Sequence, residues 1–470
     1  MHHVIQKLRF VRHALEASGG FAPQITRKDV VITQQTDAGP ITGVRSTPAL
    51  ASHCYIEPNA REDLDKYAYR VSVTTYINYL LSSVTRFVGF LQRRKPIRQG
   101  TENPLIDIFI QDADMRGNSL DGFLYGFAHA AKAFGCGLVL LDSSIGDDAP
   151  ESLDAQIRGR IVPYLRAIDP DIVKDISIVS ETGRIRRIEI YATEEIDGKE
   201  TEVTRWWDDV QWCVEKGGVE LRSAPHGFKA CPIIPFAENG RTWPQLGNYV
   251  QIADLAKESY QQRSQLNVIL SHATFPLLTY PVPDTVMQGD VSKAVMTIGL
   301  NSVLPFTGTT APAYISPDQG DVKTHSDNLK SIAAEIARIT HDEATQSPGG
   351  VESADAKRQR FESLNTELAN FASRMQGLER KIWELFTGFL GISNGVKVEW
   401  STDFNLINTD AELTILQRMR DNQFPQSAIL AKMKYIAGAE FDGLPDDVKA
   451  AIAADIDQIE RELANARVTG

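Results

Sequence analysis

The 470-residue sequence contains few of the features that mark metal proteins, secreted proteins or membrane proteins. Its four cysteines, Cys54, Cys136, Cys213 and Cys231, form no CxxC pair and match no zinc spacing. We expect buried free thiols in a reducing compartment. No stretch reaches the roughly 18 apolar residues that span a bilayer, and residues 1–15 are predicted to be a short amphipathic segment, not a secretory signal. We therefore expect no membrane contact and a location in the cytosol or in a particle assembled there.

The sequence also lacks the usual catalytic motifs. Gly198-Lys199 is not followed by the Ser or Thr that a P-loop requires, and neither HExxH nor GxSxG occurs. Residues 341–343, His-Asp-Glu, are consecutive on a predicted helix and so point in different directions. Asp112 and Asp114 have the spacing of acidic pairs that hold metal for phosphoryl transfer, but we interpret them as a polar loop before a helix. We predict no enzyme activity, no cofactor and no metal site.

The composition is that of a globular protein, since 42% of residues are hydrophobic and 23% are charged. The length favours roughly two to four domains. The formal net charge of −12 disfavours nonspecific wrapping of nucleic acid, because an acidic surface repels phosphate. Two explanations of this charge remain open. It could serve solubility alone, or local basic groups could supply DNA contacts on an otherwise acidic protein.

The first half of the chain predicts an α+β fold. Residues 1–60 contain several loop signals and are interpreted as an N-terminal arm or peripheral loop, and one helix is predicted over 63–92. Asn118-Ser119 has the chemistry of a helix N-cap, for a helix that ends before Gly135 and a short buried strand. Residues 160–236 alternate or are β-branched between glycine turns, which predicts a β-rich region.

Two long helices are predicted near the middle of the chain. The first covers 246–275, about 45 Å, and its segment 259–265 is polar on most faces, which is unusual for a packed helix. Residues 276–318 predict a small β element. The second helix, 321–344, has a narrow apolar stripe formed by Val322, His325, Leu329, Ile332, Ile336 and Ile339.

A third long helix is predicted over 353–390, after a break at 347–350. Its apolar residues are Phe361, Leu364, Leu368, Phe371, Met375, Leu378, Ile382, Leu385 and Phe389. This heptad spacing indicates packing within the subunit more often than a self-associating coiled coil, and we adopt that interpretation. A strand is predicted at 396–400, and shorter helices at 409–422, 426–437 and 445–466.

The order of these elements, over roughly residues 50–440, resembles that of the portal proteins of tailed bacteriophages. Short segments that carry the resemblance are Cys54-Tyr-Ile-Glu-Pro58, Tyr67-Ala-Tyr-Arg70, Asn78, Phe90 with Lys95-Pro96, Asp114-x-x-Gly117-x-Ser119-Leu120, Gly135-x-Gly137 with Asp142, Pro163-Tyr164-Leu165, Pro232-Ile-Ile-Pro-Phe236, Asn239-Gly240, Trp243, Asp254-Leu-Ala256 with Tyr260, and Asp403-Phe404.

The resemblance implies a homo-oligomeric ring, usually of twelve subunits, at one vertex of the capsid. Its channel would pass double-stranded DNA during packaging and ejection. Implied partners are the terminase large subunit, the head-tail adaptor, and the major capsid and scaffold proteins. The protein would be part of the virion, and in the host cytoplasm during assembly. Two rivals stay open: another head-tail connector or scaffold protein, and a metal-dependent enzyme acting on DNA through Asp112 and Asp114.

The resemblance also implies a domain assignment. The parts would be an N-terminal arm at 1–60, an α+β wing at 61–245, stem helix 1 at 246–275, a clip at 276–318, stem helix 2 at 319–344, a tunnel loop at 345–352, the wing's long helix and strand at 353–408, and a helical crown at 409–470. A helix polar over 259–265 fits a ring, because one face would meet a neighbouring copy and another would line a wet channel.

Candidate site residues follow from this assignment. Lys323, Lys330 and Arg338 are candidates for weak DNA contacts, although they could instead pair with Asp321, Asp327 and Glu335 across subunits. The candidate tunnel loop consists of Gln346, Ser347, Pro348, Gly349 and Gly350. The candidate subunit interface of the stem consists of Leu329, Ile332, Ile336 and Ile339.

Overall fold

The structure is a computed structural model, and its description covers the following residues. They are 2–36, 39–50, 52–60, 62–143, 157, 159, 161–196, 198–240, 243–274, 277–282, 303–307, 311–315, 319–342, 354–404, 409–440, 448, 451–452, 454–459 and 461. Within them the chain forms both antiparallel sheets and separate helices, which confirms the predicted α+β class.

The helices account for most of the long elements. They are α1 (His2–Glu16), α2 (Leu64–Ser72), α3 (Tyr79–Leu91), α4 (Pro104–Gln111), α5 (Leu120–Phe134), α6 (Val250–Thr274), α7 (Gln319–Ile339), α8 (Ala354–Leu390), α9 (Thr409–Asp421) and α10 (Gln426–Glu440). Three predicted long helices are therefore confirmed as α6, α7 and α8. The second of them ends earlier than predicted, since His341 has a left-handed φ of 53°.

The strands form several small sheets. They are β1 (Ile25–Thr36), β2 (Gly39–Leu50), β3 (Ile97–Gln99), β4 (Cys136–Asp142), β5 (Tyr164–Ile168), β6 (Val173–Ile178), β7 (Ile185–Ile196), β8 (Lys199–Trp207), β9 (Gln211–Lys216), β10 (Val219–Pro225), β11 (Ile233–Ala237), β12 (Leu277–Val282), β13 (Val303–Thr307), β14 (Ala313–Ile315) and β15 (Lys397–Glu399). The order β10-β9-β8-β7-β6 is an antiparallel meander, which confirms the predicted β-rich region.

The helix–strand junction at α5 and β4 follows its local signals. Ser119 Oγ accepts a bond from the backbone N–H of Gly122, as an N-cap does. Gly135 ends α5 with φ 82°, and a Cβ there would lie 2.0 Å from the nitrogen of Gly247. Only glycine is compatible with both the left-handed backbone and this close approach. The predicted cap, turn and buried strand are all confirmed.

The main core forms along α8. Its buried side chains include Leu364, Leu368, Phe371, Met375, Leu378 and Ile382. Phe371 meets the rings of Phe87 and Phe236, both at 5.4 Å between centroids. The predicted packing of this helix within the subunit is confirmed. Near the C-terminus of α8, Trp383 and Phe386 are buried, whereas the predicted heptad residues Leu385 and Phe389 are only half-buried. The buried face shifts because an α-helix has 3.6 residues per turn and a heptad pattern repeats every 3.5.

The single helix predicted over 63–92 is wrong, because residues 73–78 separate α2 from α3. Asn78 caps α3 by accepting from the N–H of Leu81. Its side-chain amide also donates to the carbonyl of Leu15, and the Tyr76 hydroxyl donates to the carbonyl of Ala14. These bonds satisfy carbonyls at the end of α1, which a continuous helix could not reach.

The N-terminal segment is also more ordered than predicted. Residues 2–16 form α1 and bury Leu8, Val11 and Ala14 completely, so this part is not a peripheral loop. Its amphipathic pattern is the reason, since one apolar stripe packs against the body. Arg12 adds bonds to Asp169 at 2.7 Å and to Asp171. Strands β1 and β2 follow as a two-stranded hairpin.

The chain divides into two compact units. The first is Met1–Ser353 with Ser363–Phe404, and the second is Ala354–Glu362 with Asn405–Gly470. In the second unit, α9 and α10 confirm two of the predicted short helices. They share a small core of Leu416, Ile429 and Ile436, with Met419 and Met433 packed against it.

Candidate functional site

Helices α6 and α7 form an antiparallel pair. Gln262, in the middle of α6, contacts His325 through a 2.8 Å hydrogen bond. Tyr249, just before the start of α6, and Thr340, just after the end of α7, line one small cavity. Strands β12, β13 and β14, which follow α6 and precede α7, form a three-stranded sheet. The unit is therefore helix, small sheet, helix.

This pair is buried at one end only. On α6, Ile252, Ala253 and Tyr260 are buried, whereas residues 265–269 are half-buried and Leu270 is 43% exposed. On α7 the buried residues lie near its C-terminus. Residues 323–324 and 327–328, nearer its N-terminus, are exposed. Burial along the pair therefore decreases from the end at Tyr249 and Thr340 toward the strands β12–β14 that join the two helices.

The polar middle of α6 finds partners within its own chain. Arg70, only 1% exposed, donates to Ser264 at 2.7 Å and forms an ion pair with Glu62 at 2.6 Å. The Arg70 bond lowers the pKa of Glu62. Gln261 accepts from the backbone N–H of Glu57 at 2.8 Å. The expectation that such a helix needs other copies to satisfy its polar groups is thus corrected for this face.

Two buried polar atoms of α6 have no hydrogen-bond partner among the described residues. They are the hydroxyl of Ser259, a residue 2% exposed, and Nε of Arg263. The two residues are four positions apart, so they lie on one face of the helix. A buried polar group without a partner is costly, which makes this face different from the one that contacts Arg70.

The predicted stem interface is divided by the structure. Ile332 and Ile336 are 6% and 5% exposed, so their own chain already covers them. Leu329 and Ile339 are half-buried and keep part of their surface open. Within this stripe, only Leu329 and Ile339 have apolar surface with which a neighbouring copy could make contact.

The candidate DNA-contact residues lie on the exposed side of α7. Lys330 pairs with Asp327 at 3.1 Å, and Arg338 pairs with Glu335 at 2.6 Å, each one helical turn away. The Arg338 bond lowers the pKa of Glu335. Lys330 and Arg338 therefore pair with two of the acids named in the alternative, but within one helix, and pairing across subunits stays a prediction. Lys323 is exposed, and the side chain of residue 321 lies outside the described residues.

A buried charge cluster near the base of the pair was missed by sequence reasoning. Lys132 is fully buried and donates to Glu238 and Glu367, both at 2.5 Å. Its ammonium also lies 4.2 Å from the ring centre of Tyr249. Burial raises the pKa of Glu238 despite the adjacent lysine. Lys132 is more than 100 positions from each of these partners, so no local pattern signals their contact.

The acidic pair at 112–114 is a turn. Asp114 Oδ1 accepts from the N–H of Arg116 at 3.0 Å, and its Oδ2 accepts from the side chain of Asn118 at 2.8 Å. Burial alone would raise the pKa of Asp114, but these bonds lower it. Asp112 accepts from the N–H of Gly117 at 3.0 Å. Our interpretation as a loop is supported, because these oxygens satisfy the backbone of the turn.

The described residues contain no group of His, Cys, Asp and Glu side chains arranged to hold a metal ion. Across the same part of the chain, no helix is long and apolar enough to cross a membrane. The four cysteines are buried free thiols, as predicted. Burial raises the pKa of Cys136 and Cys231 to about 12, which makes their thiolates scarce at neutral pH.

The candidate tunnel loop, 345–352, lies outside the described residues. The sequence predictions that the structure brings together are therefore the stem stripe and the three cations, which share α7. The Asp112–Asp114 turn belongs to a different part of the fold, beside α5.

No family model and no curated protein matches the chain. Several solved structures are similar to it. An HK97 family phage portal protein from Corynebacterium diphtheriae has 12% identity, covering 69% of this chain and 92% of that one, with a TM-score of 0.34. A chain in the neck of a native gene transfer agent particle, computed with C12 symmetry, has 12% identity, coverage of 80% and 89%, and a TM-score of 0.36. A chain of the native particle's virion has 11% identity, coverage of 75% and 86%, and a TM-score of 0.36.

Proposed function

We propose that the protein is a phage portal subunit that forms a homo-oligomeric ring at one capsid vertex. Its channel would conduct double-stranded DNA during packaging and ejection. The observation that carries the proposal is the helix pair α6–α7, whose burial decreases toward the small sheet that joins the two helices. Two long antiparallel helices joined by a small sheet suit a stem with a clip.

Ring formation is supported by the surfaces that the pair leaves uncovered. Leu329 and Ile339 are half-buried and keep apolar surface open. A neighbouring copy of the same pair offers both polar and apolar groups. Packing identical rods side by side around an axis would cover these surfaces and close the assembly.

The passage of DNA is supported by the charges on α7. Lys330 and Arg338 are neutralised by acids one turn away, and the whole chain carries a net charge of −12. Each phosphate contact with a free cation strengthens nucleic-acid binding. A wall of paired charges binds phosphate weakly, and weak binding is what a sliding duplex needs. Lys323 then remains the candidate for direct phosphate contact.

The remaining assignments follow the portal plan. Residues 61–245 with α8 would form the wing, 276–318 the clip, 345–352 the tunnel loop and 409–470 the crown. We propose twelve subunits, docking of the terminase large subunit and then the head-tail adaptor, and contact with major capsid and scaffold proteins. The protein would act in the virion and assemble in the host cytoplasm.

Native mass spectrometry with negative-stain imaging of the purified full chain tests the ring. We expect a closed ring with an axial hole wide enough for duplex DNA. A chain that stays monomeric at all concentrations and salt conditions would refute the proposal.

Deleting the clip, 276–318, separates a portal from a scaffold protein. A portal lacking this segment should keep its ring and lose terminase and adaptor binding in pull-down assays. A scaffold protein should bind its partners as before. The double variant Asp112→Ala/Asp114→Ala addresses the enzyme alternative, since metal-dependent DNA cleavage by the wild type and not by this variant would favour it.

A further inference from the structure

The hairpin β1–β2 is a long two-stranded structure. Each strand has 12 residues, paired without a register shift from Ile25 opposite Leu50 to Thr36 opposite Gly39. In the described part of the chain no third strand joins this sheet. Strand β2 contacts α2. An isolated two-stranded hairpin is marginally stable in water, so a further strand would stabilise it.

The two edges of the hairpin differ in proline content. Pro40 and Pro48 both lie on β2, opposite Gln35 and Arg27. Proline has no N–H, so it fits where the strand's N–H points away from the partner strand. Both prolines have even numbers and so point to the same side. They remove two of the outward N–H groups of β2 and obstruct strand addition at that edge.

Strand β1 has no proline, and its outer edge is intact. In an antiparallel pair, two residues directly opposite each other point their N–H groups either both toward or both away from the partner strand. The residues of β1 opposite the even-numbered residues of β2 therefore have outward N–H groups. They are Arg27, Asp29, Val31, Thr33 and Gln35. The hairpin thus has one edge that is blocked and one that can accept a strand.

The charge of the hairpin favours a second copy as the occupant. Residues 25–50 contain three basic and two acidic residues, which gives the hairpin a net charge of +1. The whole chain has a net charge of −12, so the remaining residues carry −13. A basic hairpin is attracted to an acidic surface, and a neighbouring copy provides one.

We propose that β1 pairs, through its outer edge, with a strand of a neighbouring copy, so that the hairpin links adjacent subunits. This inference rests on the proposed ring. Backbone hydrogen bonds would give the contact its strength without requiring particular side chains.

Two proline variants test the proposal, because Val31 and Val44 are directly opposite each other in the hairpin. Val31→Pro removes an outward N–H from β1, and Val44→Pro removes one from β2. Neither removes a bond between the two strands, so both should perturb the hairpin itself alike. We expect Val31→Pro to weaken ring association at least about fivefold, and Val44→Pro to change it less than about twofold.

Association is measured by native mass spectrometry over a dilution series, with circular dichroism and the thermal midpoint as checks on folding. Hydrogen exchange of the wild type gives a second measurement. The amides of Val31 and Thr33 should exchange at least about tenfold more slowly in the ring than in the dissociated subunit.

Wild-type association by Val31→Pro, equal losses in both variants, or unprotected amides at Val31 and Thr33 would each overturn the hairpin contact while leaving the ring intact. A wild-type chain that forms no ring would instead overturn the proposed function, and this contact with it.

Discussion

Helices α8 and α6 are both long, yet they are held by different forces. From Leu364 to Ile382, α8 buries a continuous apolar stripe against the body. In its middle α6 is polar, and Arg70 and other polar groups of the chain bind one side of it. The difference shows that a helix can be held by hydrophobic burial or by specific polar contacts. In the proposed ring, the second kind would leave faces of the helix for contact with neighbouring copies.

Charges show the same contrast. In the body, Lys132 is fully buried between two carboxylates, where removing one partner leaves uncompensated charge. On α7, Lys330 is exposed and pairs with a neighbour on its own helix. The buried cluster should therefore matter for folding and the exposed pairs for what contacts the surface.

The largest expected effect is that of Lys132→Met. This variant leaves Glu238 and Glu367 buried without their cation, so we expect a loss of about 3–5 kcal/mol in the free energy of unfolding. Urea denaturation measures it. Lys330→Met is the matched control on the exposed helix and should give no measurable change. A Lys132→Met protein as stable as the wild type would show that the body does not depend on this cluster.

Gly135→Ala tests how tightly the body is packed. Alanine would have to adopt a left-handed backbone and would collide with Gly247, so we expect a loss of roughly 2–4 kcal/mol. Gly126, inside α5, has open space around a built Cβ, and Gly126→Ala should stabilise the helix by up to about 1 kcal/mol. Thermal denaturation of both variants checks the opposite signs. Equal effects would contradict the packing at Gly135.

The contrast between the helices also explains what the sequence could predict. The stripe of α8, the cap at Ser119 and the length of α6 follow from local patterns, and they are confirmed. The contact between Arg70 and Ser264 joins residues 194 positions apart, and no periodicity reports it. For the same reason the break at 73–78 was missed, since the bonds that cause it come from α1.

The sequence predicted which residues of α7 belong to the candidate site better than it predicted what those residues contact. The stripe on α7 was found by its spacing, but spacing alone does not tell a stripe covered by its own chain from one that meets a neighbour. Ile332 and Ile336 proved to be of the first kind. The cations of α7 could be located, yet whether they pair within a helix depends on side-chain conformations that a pattern leaves undetermined.

Ser264→Ala is expected to have a smaller effect than the two substitutions in the body. It removes the acceptor of a buried Arg70 N–H, so we expect a loss of about 1–2 kcal/mol. Ser331→Ala, at an exposed position of α7, should change the stability by less than about 0.5 kcal/mol. Urea denaturation compares the two. If both variants match the wild type, hydrogen bonding does not hold the middle of α6, and the contrast with α8 fails.

The smallest effect concerns pH. Because Arg70 lowers the pKa of Glu62 below its ordinary 4.5, the folded state binds a proton there less readily than the unfolded state. The contribution of this carboxylate to stability is therefore complete above about pH 4.5 and is lost as the pH falls through the folded-state pKa. Glu62→Gln does not titrate, so its stability difference from the wild type should shrink between pH 6 and pH 3, as measured by urea denaturation across that range. Parallel pH profiles would show that the ion pair beneath α6 does not form.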